Sequence, residues 1–323
     1  MCATRSNKNP YGPEMNSDWV LQCLTDSEPA QSSPGFIRGL TPSSKIMFKL
    51  QLINIPDHFS AMIAGYLQFA PQFGEKEVNF DTVAALAKDI KADLLVLPEL
   101  FATGYAFTCE DEVQSMSEQS KGPTALFLAE LAGMTGAIVA GGFIESDGAS
   151  FYNSMLISDS VKILGTYRKL HLFNKEKLWF TPGDRSPRVI ETPVARLGSM
   201  ICFDWIFPEM CRTLALQGAQ VIVHPSNLVL PWAQRAMFAR CVENRVFAVT
   251  ANRIGREQRG SDDFTFTGGS QIMTCTGEIL SSAPMDQPFA GLAEFDPKKA
   301  DQKMINPFND LLGDRRTEFY IYD

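Results

Sequence analysis

LLVLPELFATGY, residues 94 to 105, begins with four consecutive aliphatic side chains and then meets Pro98. An apolar run that short, without polar alternation, reads as a strand buried on both faces. Proline has no N–H to give to a ladder, so the strand stops there. Upstream, Phe80, Val83, Ala87 and Ile90 recur at helical spacing, with Asn79 placed to cap that helix. A helix leading into a doubly covered strand sets the class as α/β.

Working outward, the alternation continues. Gly122-Pro123 opens a second helix through Leu126, Phe127 and Leu131. Strand-like runs follow at 137–144, 152–158 and 161–167, and a hairpin is predicted around Gly198, with arms at 194–197 and 199–203. Pro208 starts a helix that Gly218 ends, 221–223 is a further buried strand, and 234–244 is helical before a strand at 247–251. The C-terminal part is richer in strands, at 270–275, 278–281 and 291–295, with Thr276-Gly277 as a turn. Several adjacent strands lack a helix between them, which predicts mixed sheets covered by helices and not a purely parallel doubly wound sheet.

Residues 1–60 have a different texture, rich in Ser, Pro, Asn and Asp, with one short strand-like run at 47–55. They read as a disordered extension or as residues added by a misassigned start codon, and the folded domain is assigned to 61–323, with Met62 at the start of its first buried strand. At 45% apolar residues the 323-residue chain can bury a large core, read here as one domain. A net charge of -8 argues against a phosphate-backbone partner, because nucleic-acid binders present a basic face. Seven cysteines, an odd number with no C-x-x-C pair, suit a reduced cytoplasmic protein. No apolar run approaches bilayer-spanning length, and the first residues lack the apolar core of a secretion signal.

Three chemically capable side chains fall at strand ends, where open α/β sheets place their active sites. Glu99 leaves the strand LLVLP, where desolvation suits a proton-transfer role; the bland alternative is a glutamate that has reached solvent. Lys169, in YRKLHLF, follows the strand at 161–167. It is either solvated or, given Leu170 and Leu172 beside it, buried and in need of a carboxylate, for which Glu176 is the candidate. Cys202 lies in GSMICFDWIFPEM, at a sharp passage from strand to helix that exposes a nucleophile and leaves backbone N–H groups for an oxyanion. An inert core thiol is the alternative there, and it fits Cys211, Cys241 and Cys275.

Together the segments LLVLPELFATGY, YRKLHLFNKEKLWFTPGD and GSMICFDWIFPE resemble the three signature blocks of the nitrilase superfamily, in the family's order Glu, Lys, Cys. GYLQFAPQFG resembles its first strand, HPSNLVLPWAQRAMFARCVENRVFAVTANRIG the region after the nucleophile, and INPFNDLLGDRRTEFY its C-terminal tail, so the likeness runs from Met62 to the end. The resemblance implies a four-layer αββα sandwich, a catalytic triad of Glu99, Lys169 and Cys202, and Glu176 as an additional glutamate near the lysine. It implies pairing of two subunits, for which the helices at 208–217 and 234–244 are the expected surface. It also implies no metal or organic cofactor, in keeping with three histidines that show no metal-ligand spacing.

The chemistry that follows is attack by the Cys202 thiolate on an amide or nitrile carbon. Lys169 would favour the thiolate, Glu99 would move protons, and the Lys169 ammonium and the Phe203 N–H would hold the oxyanion. A Cys–His mechanism is the rival, but His224 reads as structural and His171 belongs to the lysine block. Phe203, Trp205 and Phe207, with Phe101 and Tyr105, predict a small apolar-walled pocket, and Asn227 is a candidate for the polar end of the substrate. Small aliphatic amides are therefore the expected substrates, ahead of nitriles and N-carbamoyl amines. A catalytically silent binding domain is the reading outside enzymes.

Overall fold

A computed structural model describes residues 61–148 and 150–321; the strand-like run at 47–55 and the rest of the N-terminal segment lie outside the described residues. In chain order come β1 (Met62–Gln68), α1 (Lys76–Ala87), β2 (Leu94–Val96), α2 (Glu110–Met116), α3 (Pro123–Thr135), β3 (Ile138–Asp147), β4 (Ser150–Ser158) and β5 (Ile163–Arg168). They are followed by α4 (Glu176–Trp179), β6 (Val189–Glu191), β7 (Arg196–Ser199), α5 (Pro208–Leu216), β8 (Val221–Ser226), α6 (Ala233–Val242) and β9 (Phe247–Asn252). The last third adds β10 (Ile254–Arg259), β11 (Asp262–Thr267), β12 (Gln271–Met273), β13 (Ile279–Ser282) and β14 (Phe289–Phe295), then a small ribbon of β15 (Met304–Asn306) and β16 (Asn309–Asp310).

Two six-stranded sheets form, ordered β14-β1-β2-β3-β4-β5 and β13-β12-β9-β8-β7-β6. Each is parallel at its centre, β1-β2-β3 in one and β7-β8-β9 in the other, and antiparallel at its flanks. Strand alternation sorts the side chains. Leu95, Leu97 and Val139 turn outward onto Phe80, Val83 and Leu128 of α1 and α3. Leu94, Val96 and Ala140 turn inward to share a core with Leu197, Val221 and Val223 of the second sheet, which Leu214 of α5 and Met237 of α6 cover. The layers are helix, sheet, sheet, helix: the αββα sandwich. Each fully buried aliphatic side chain contributes about 1.5–3 kcal/mol, so the short strand β2, buried on both faces, is held mainly by packing.

Local signals explain most boundaries. Helix α3 has Pro at its first position after an extended Gly122 and closes at Gly136 (φ 77), whose N–H reaches the Ala132 carbonyl. Two expectations are corrected. Asn79 is no cap: α1 begins at Lys76, and the buried Asn79 amide instead ties the Gln72 backbone and the Ala102 carbonyl at 2.7–2.9 Å. The apolar periodicity that starts at Phe80 hid the polar first turn. Gly198 makes no hairpin either, because β7 runs straight through it and pairs with β6. A Cβ there would lie 2.9 Å from Ile222 and 3.2 Å from Leu214, so this glycine permits close approach of strand and helix. The hairpin β10–β11 escaped the sequence reading, since its residues are largely polar and only one face of it is covered. No helix among the described residues is long and apolar enough to cross a membrane.

Candidate active site

Glu99 stands just past β2, Lys169 just past β5 and Cys202 just past β7. All three are buried, with Glu99 and Lys169 at 0% and 1% exposure. Pro98 ends the ladder, and Leu100, at φ 48, turns the chain so that Glu99 points inward. Gly142 of β3 makes room for this, since a Cβ there would sit 2.8 Å from the Glu99 Cα. Asn174 (φ 49), in the loop from Lys169 to α4, and Cys202 itself (φ 41) also adopt left-handed backbone. Such residues cost about 1–3 kcal/mol each, and three of the four among the described residues lie in the segments that carry this site, the fourth being Arg245 before β9.

Lys169 Nζ donates to Glu99 Oε1 at 2.7 Å and to Glu176 Oε1 at 2.8 Å. Asn153 of β4 gives a further hydrogen bond to Glu99 Oε1 at 2.7 Å, while Glu99 Oε2 is buried with no hydrogen-bond partner among the described residues. Glu176, at the start of α4, also accepts from the Tyr105 phenol at 2.5 Å and from the Phe173 N–H at 3.2 Å. Burial works against the Lys169 ammonium, but the charges of Glu176 and Glu99 outweigh it and hold its pKa above the ordinary lysine value. Burial likewise raises the Glu176 carboxyl, and the Glu99 charge adds to this against the pull of Lys169. The Tyr105 phenol is pushed well up by burial and by both carboxylates, so it stays a donor.

For Cys202, burial and then the Glu99 charge push the thiol well above its usual range, while Lys169 and the backbone N–H of Asn227 pull the other way. Lys169 does favour the thiolate, as the sequence led us to expect, but burial and the carboxylates oppose it more strongly. A neutral thiol next to a buried carboxylate suits proton transfer coupled to attack.

The turn that carries Cys202 is braced from both sides. His224 Nε2 lies 3.0 Å from the Cys202 carbonyl and its Nδ1 is 3.1 Å from Thr250 Oγ1. A carbonyl can only accept, so Nε2 carries the proton, and burial lowers the pKa of the ring. His224 therefore holds the Cys202 backbone. Asp204, fully buried, accepts from the Ile201 N–H (2.9 Å), the Tyr167 phenol (2.8 Å) and His171 Nδ1 (2.8 Å), linking the cysteine turn to the segment that carries Lys169. The sequence reading passed over Asp204 and Asn153. An amide at the centre of the apolar strand FYNSMLIS was the available signal for Asn153.

A small recess opens at the thiol, lined by Phe173, Phe203, Trp205, Asn227, Leu228, Val229 and Leu230. Both polar atoms of the Asn227 amide are buried there without a partner among the described residues. Of the expected pocket residues, Phe203, Trp205 and Asn227 line this recess. Tyr105 lines a neighbouring one with Glu176 and Phe180. Phe207 is stacked on His171 at 3.7 Å. Phe101 is corrected: it packs with Phe80 and Phe127 under α1 and α3, on the far side of the first sheet. A larger cleft, about 800 Å³, lies elsewhere among the described residues, between β5 and the segment 184–191, and Cys202 is not in its wall. Among the described residues no group of three or more His, Cys, Asp or Glu could hold a metal ion.

Comparison with known proteins bears on the class to which the chain belongs. The carbon-nitrogen hydrolase family model matches residues 63–302. A nitrilase of Pyrococcus abyssi is 44% identical over 260 residues, covering 79% of this chain and 98% of that one. An (R)-stereoselective amidase of a Pseudomonas species is 33% identical over 228 residues, covering 68% and 80%. Among solved structures, a variant of the amidase from Nesterenkonia sp. AN1, showing the result of Michael addition of acrylamide at its active site cysteine, superposes with a TM-score of 0.66 at 25% identity, covering 80% and 97%. The chain is a carbon–nitrogen hydrolase, a member of the nitrilase superfamily.

Proposed function

We propose that the chain hydrolyses short, uncharged aliphatic amides to the acid and ammonia, with Cys202 as nucleophile, Glu99 as proton-transfer group and Lys169 as oxyanion partner. The observation that carries this reading is the Asn227 amide, buried with donor and acceptor both free, beside the thiol in an otherwise apolar recess. An amide substrate has a carbonyl and an N–H to complement both atoms, whereas a nitrile can only accept. The recess wall has no Arg, Lys, Asp or Glu side chain to pair with a charged carbamoyl amine or carbamoyl acid. The amidases among the relatives support the same choice.

In this reading the thiol sulfur attacks the amide carbon while its proton passes to Glu99 Oε2, the oxygen free of protein partners. The oxyanion forms between the Lys169 ammonium and the Phe203 N–H, and one such donor is worth ~10²–10³ in rate. Glu99 returns the proton to the nitrogen as the C–N bond breaks, ammonia leaves, and a thioester remains on Cys202. Water then gives a proton to Glu99, attacks the thioester and frees the acid, and the thiol regains its proton. Glu176 holds Lys169 in place and offsets its charge.

Ammonia release from short amides, the matching nitriles and N-carbamoyl amines, with Cys202→Ala in parallel, tests the reading. Release from amides that is lost in the variant supports it. Release from nitriles alone would keep the three residues and replace the substrate. Equal behaviour of wild type and variant on every compound would overturn the assignment and favour a binding domain.

A further inference from the structure

A further buried ion pair joins β10 to the residue just before it, and the chemistry above does not use it. Arg253, 1% exposed, donates from Nη1 to Glu257 Oε2 at 2.6 Å. Its guanidinium lies 4.0 Å above the Phe266 ring, and its Nη2 reaches the Pro71 carbonyl at 3.4 Å. Buried pairs of this kind add little net stability, because desolvation offsets the attraction. What the other oxygen of Glu257 does is therefore informative. Oε1 accepts the backbone N–H groups of Tyr105 (3.0 Å) and Ala106 (2.5 Å).

The β10–β11 hairpin grips Tyr105 elsewhere. Phe264 and Phe266 of β11 meet its ring edge-on, with centroids 5.6 and 5.9 Å away. Arg259, at the end of β10, donates to the Ala106 carbonyl at 3.0 Å. Backbone and ring are thus fixed from one side, and the phenol at the far end donates to Glu176 Oε1, the very oxygen that accepts from Lys169. A chain of direct contacts runs from Glu257 through Tyr105 and Glu176 to Lys169.

We infer that Glu257, held by Arg253, is a positioning residue for the hydrolytic site: it sets the Tyr105 phenol on Glu176 and so fixes where the Lys169 ammonium stands. The inference rests on the hydrolytic reading above, in which Lys169 meets the oxyanion. The phenol–carboxylate contact is short and directional, and a displacement of about 1 Å at a reacting group can cost ~10²-fold in rate.

A double-mutant cycle in the full chain tests this. Glu257→Ala, Glu257→Gln and Tyr105→Phe are made singly, and each Glu257 change is also made on Tyr105→Phe. Turnover of propionamide is measured, together with alkylation of Cys202 by iodoacetamide read by mass spectrometry. Glu257→Ala is expected to lower kcat by ~10²-fold with KM within about threefold of wild type. Glu257→Gln should restore part of kcat, since its amide oxygen still accepts the two N–H groups. On Tyr105→Phe, neither Glu257 change should lower kcat by more than about threefold, because the contact it sets is already gone. Losses that multiply across the cycle would overturn the inference, as would a loss confined to KM. If Glu257→Ala does not fold, the Glu257→Gln cycle decides alone. If the wild type releases no ammonia, the hydrolytic reading fails by itself, and the cycle is read from the alkylation rates, where multiplying effects again refute the positioning role.

Discussion

Lys169 Nζ lies 2.7 Å from Glu99 Oε1 with both side chains sealed from solvent, although 70 residues of chain separate them. Each would be intolerable alone in that environment. With Glu176 closing the other side of the ammonium, the three form a unit that the surrounding strand ends over-determine. In the proposed mechanism its charges set the thiol chemistry, and its geometry sets where an oxyanion can be held.

Breaking that unit should cost stability as well as activity. Lys169→Ala leaves two buried carboxylates facing one another and is expected to lower the free energy of unfolding by about 3–5 kcal/mol. Urea denaturation at neutral pH measures this. A change under about 1 kcal/mol would mean that water or a side-chain shift repairs the site.

The raised pKa values fix the sign of the alkaline response. The folded chain holds protons on Lys169, Tyr105 and Cys202 above their ordinary values, so as pH rises the unfolded chain releases them first. The proton-linked stability is fully present below about pH 8.5, where the unfolded thiol begins to titrate, and declines above it through the unfolded lysine range near 10.4. Urea melts between pH 8 and 10.5 should show that fall, smaller in Cys202→Ala. Alkylation of Cys202 should keep rising through pH 9; a plateau reached below pH 8 would contradict a thiol raised by burial.

Gly142 is expected to be irreplaceable for a reason unrelated to turns. Its missing Cβ leaves room for the Glu99 and Leu100 backbone, and Gly142→Ala would push against both. Overpacking of this kind costs about 1–3 kcal/mol, and here the displaced backbone is that of Glu99, the proposed proton-transfer residue. Thermal melts and ammonia release on the same preparation check it. Full activity in a stable Gly142→Ala protein would show that Glu99 tolerates the shift.

We propose self-association through α5 and α6, the surface that the family resemblance led us to expect. Trp232 and Phe238 are 50% and 52% exposed, and Leu216 at the end of α5 is 47% exposed. Analytical ultracentrifugation at micromolar concentration should give a dimer or larger species, and Phe238→Glu should shift it toward monomer. A monomeric wild type would remove the proposal.

Much of this protein was legible in its sequence because the signals are local. An apolar run ended by Pro98 places Glu99 at a strand end, Gly122-Pro123 opens α3, and the resemblance of three blocks to the nitrilase superfamily groups Glu99, Lys169 and Cys202 as a set. What the chain pattern could not hold is how those blocks meet. The Asn79 amide, the Gly198 passage, the Asp204 bracket and the Glu257 grip on Tyr105 are each decided by partners distant in sequence. The resting state of the thiol belongs there too. Residue type supplies a cysteine and a lysine, but whether the sulfur carries a proton depends on burial and on the sum of charges around it, and those exist only once the two sheets have closed.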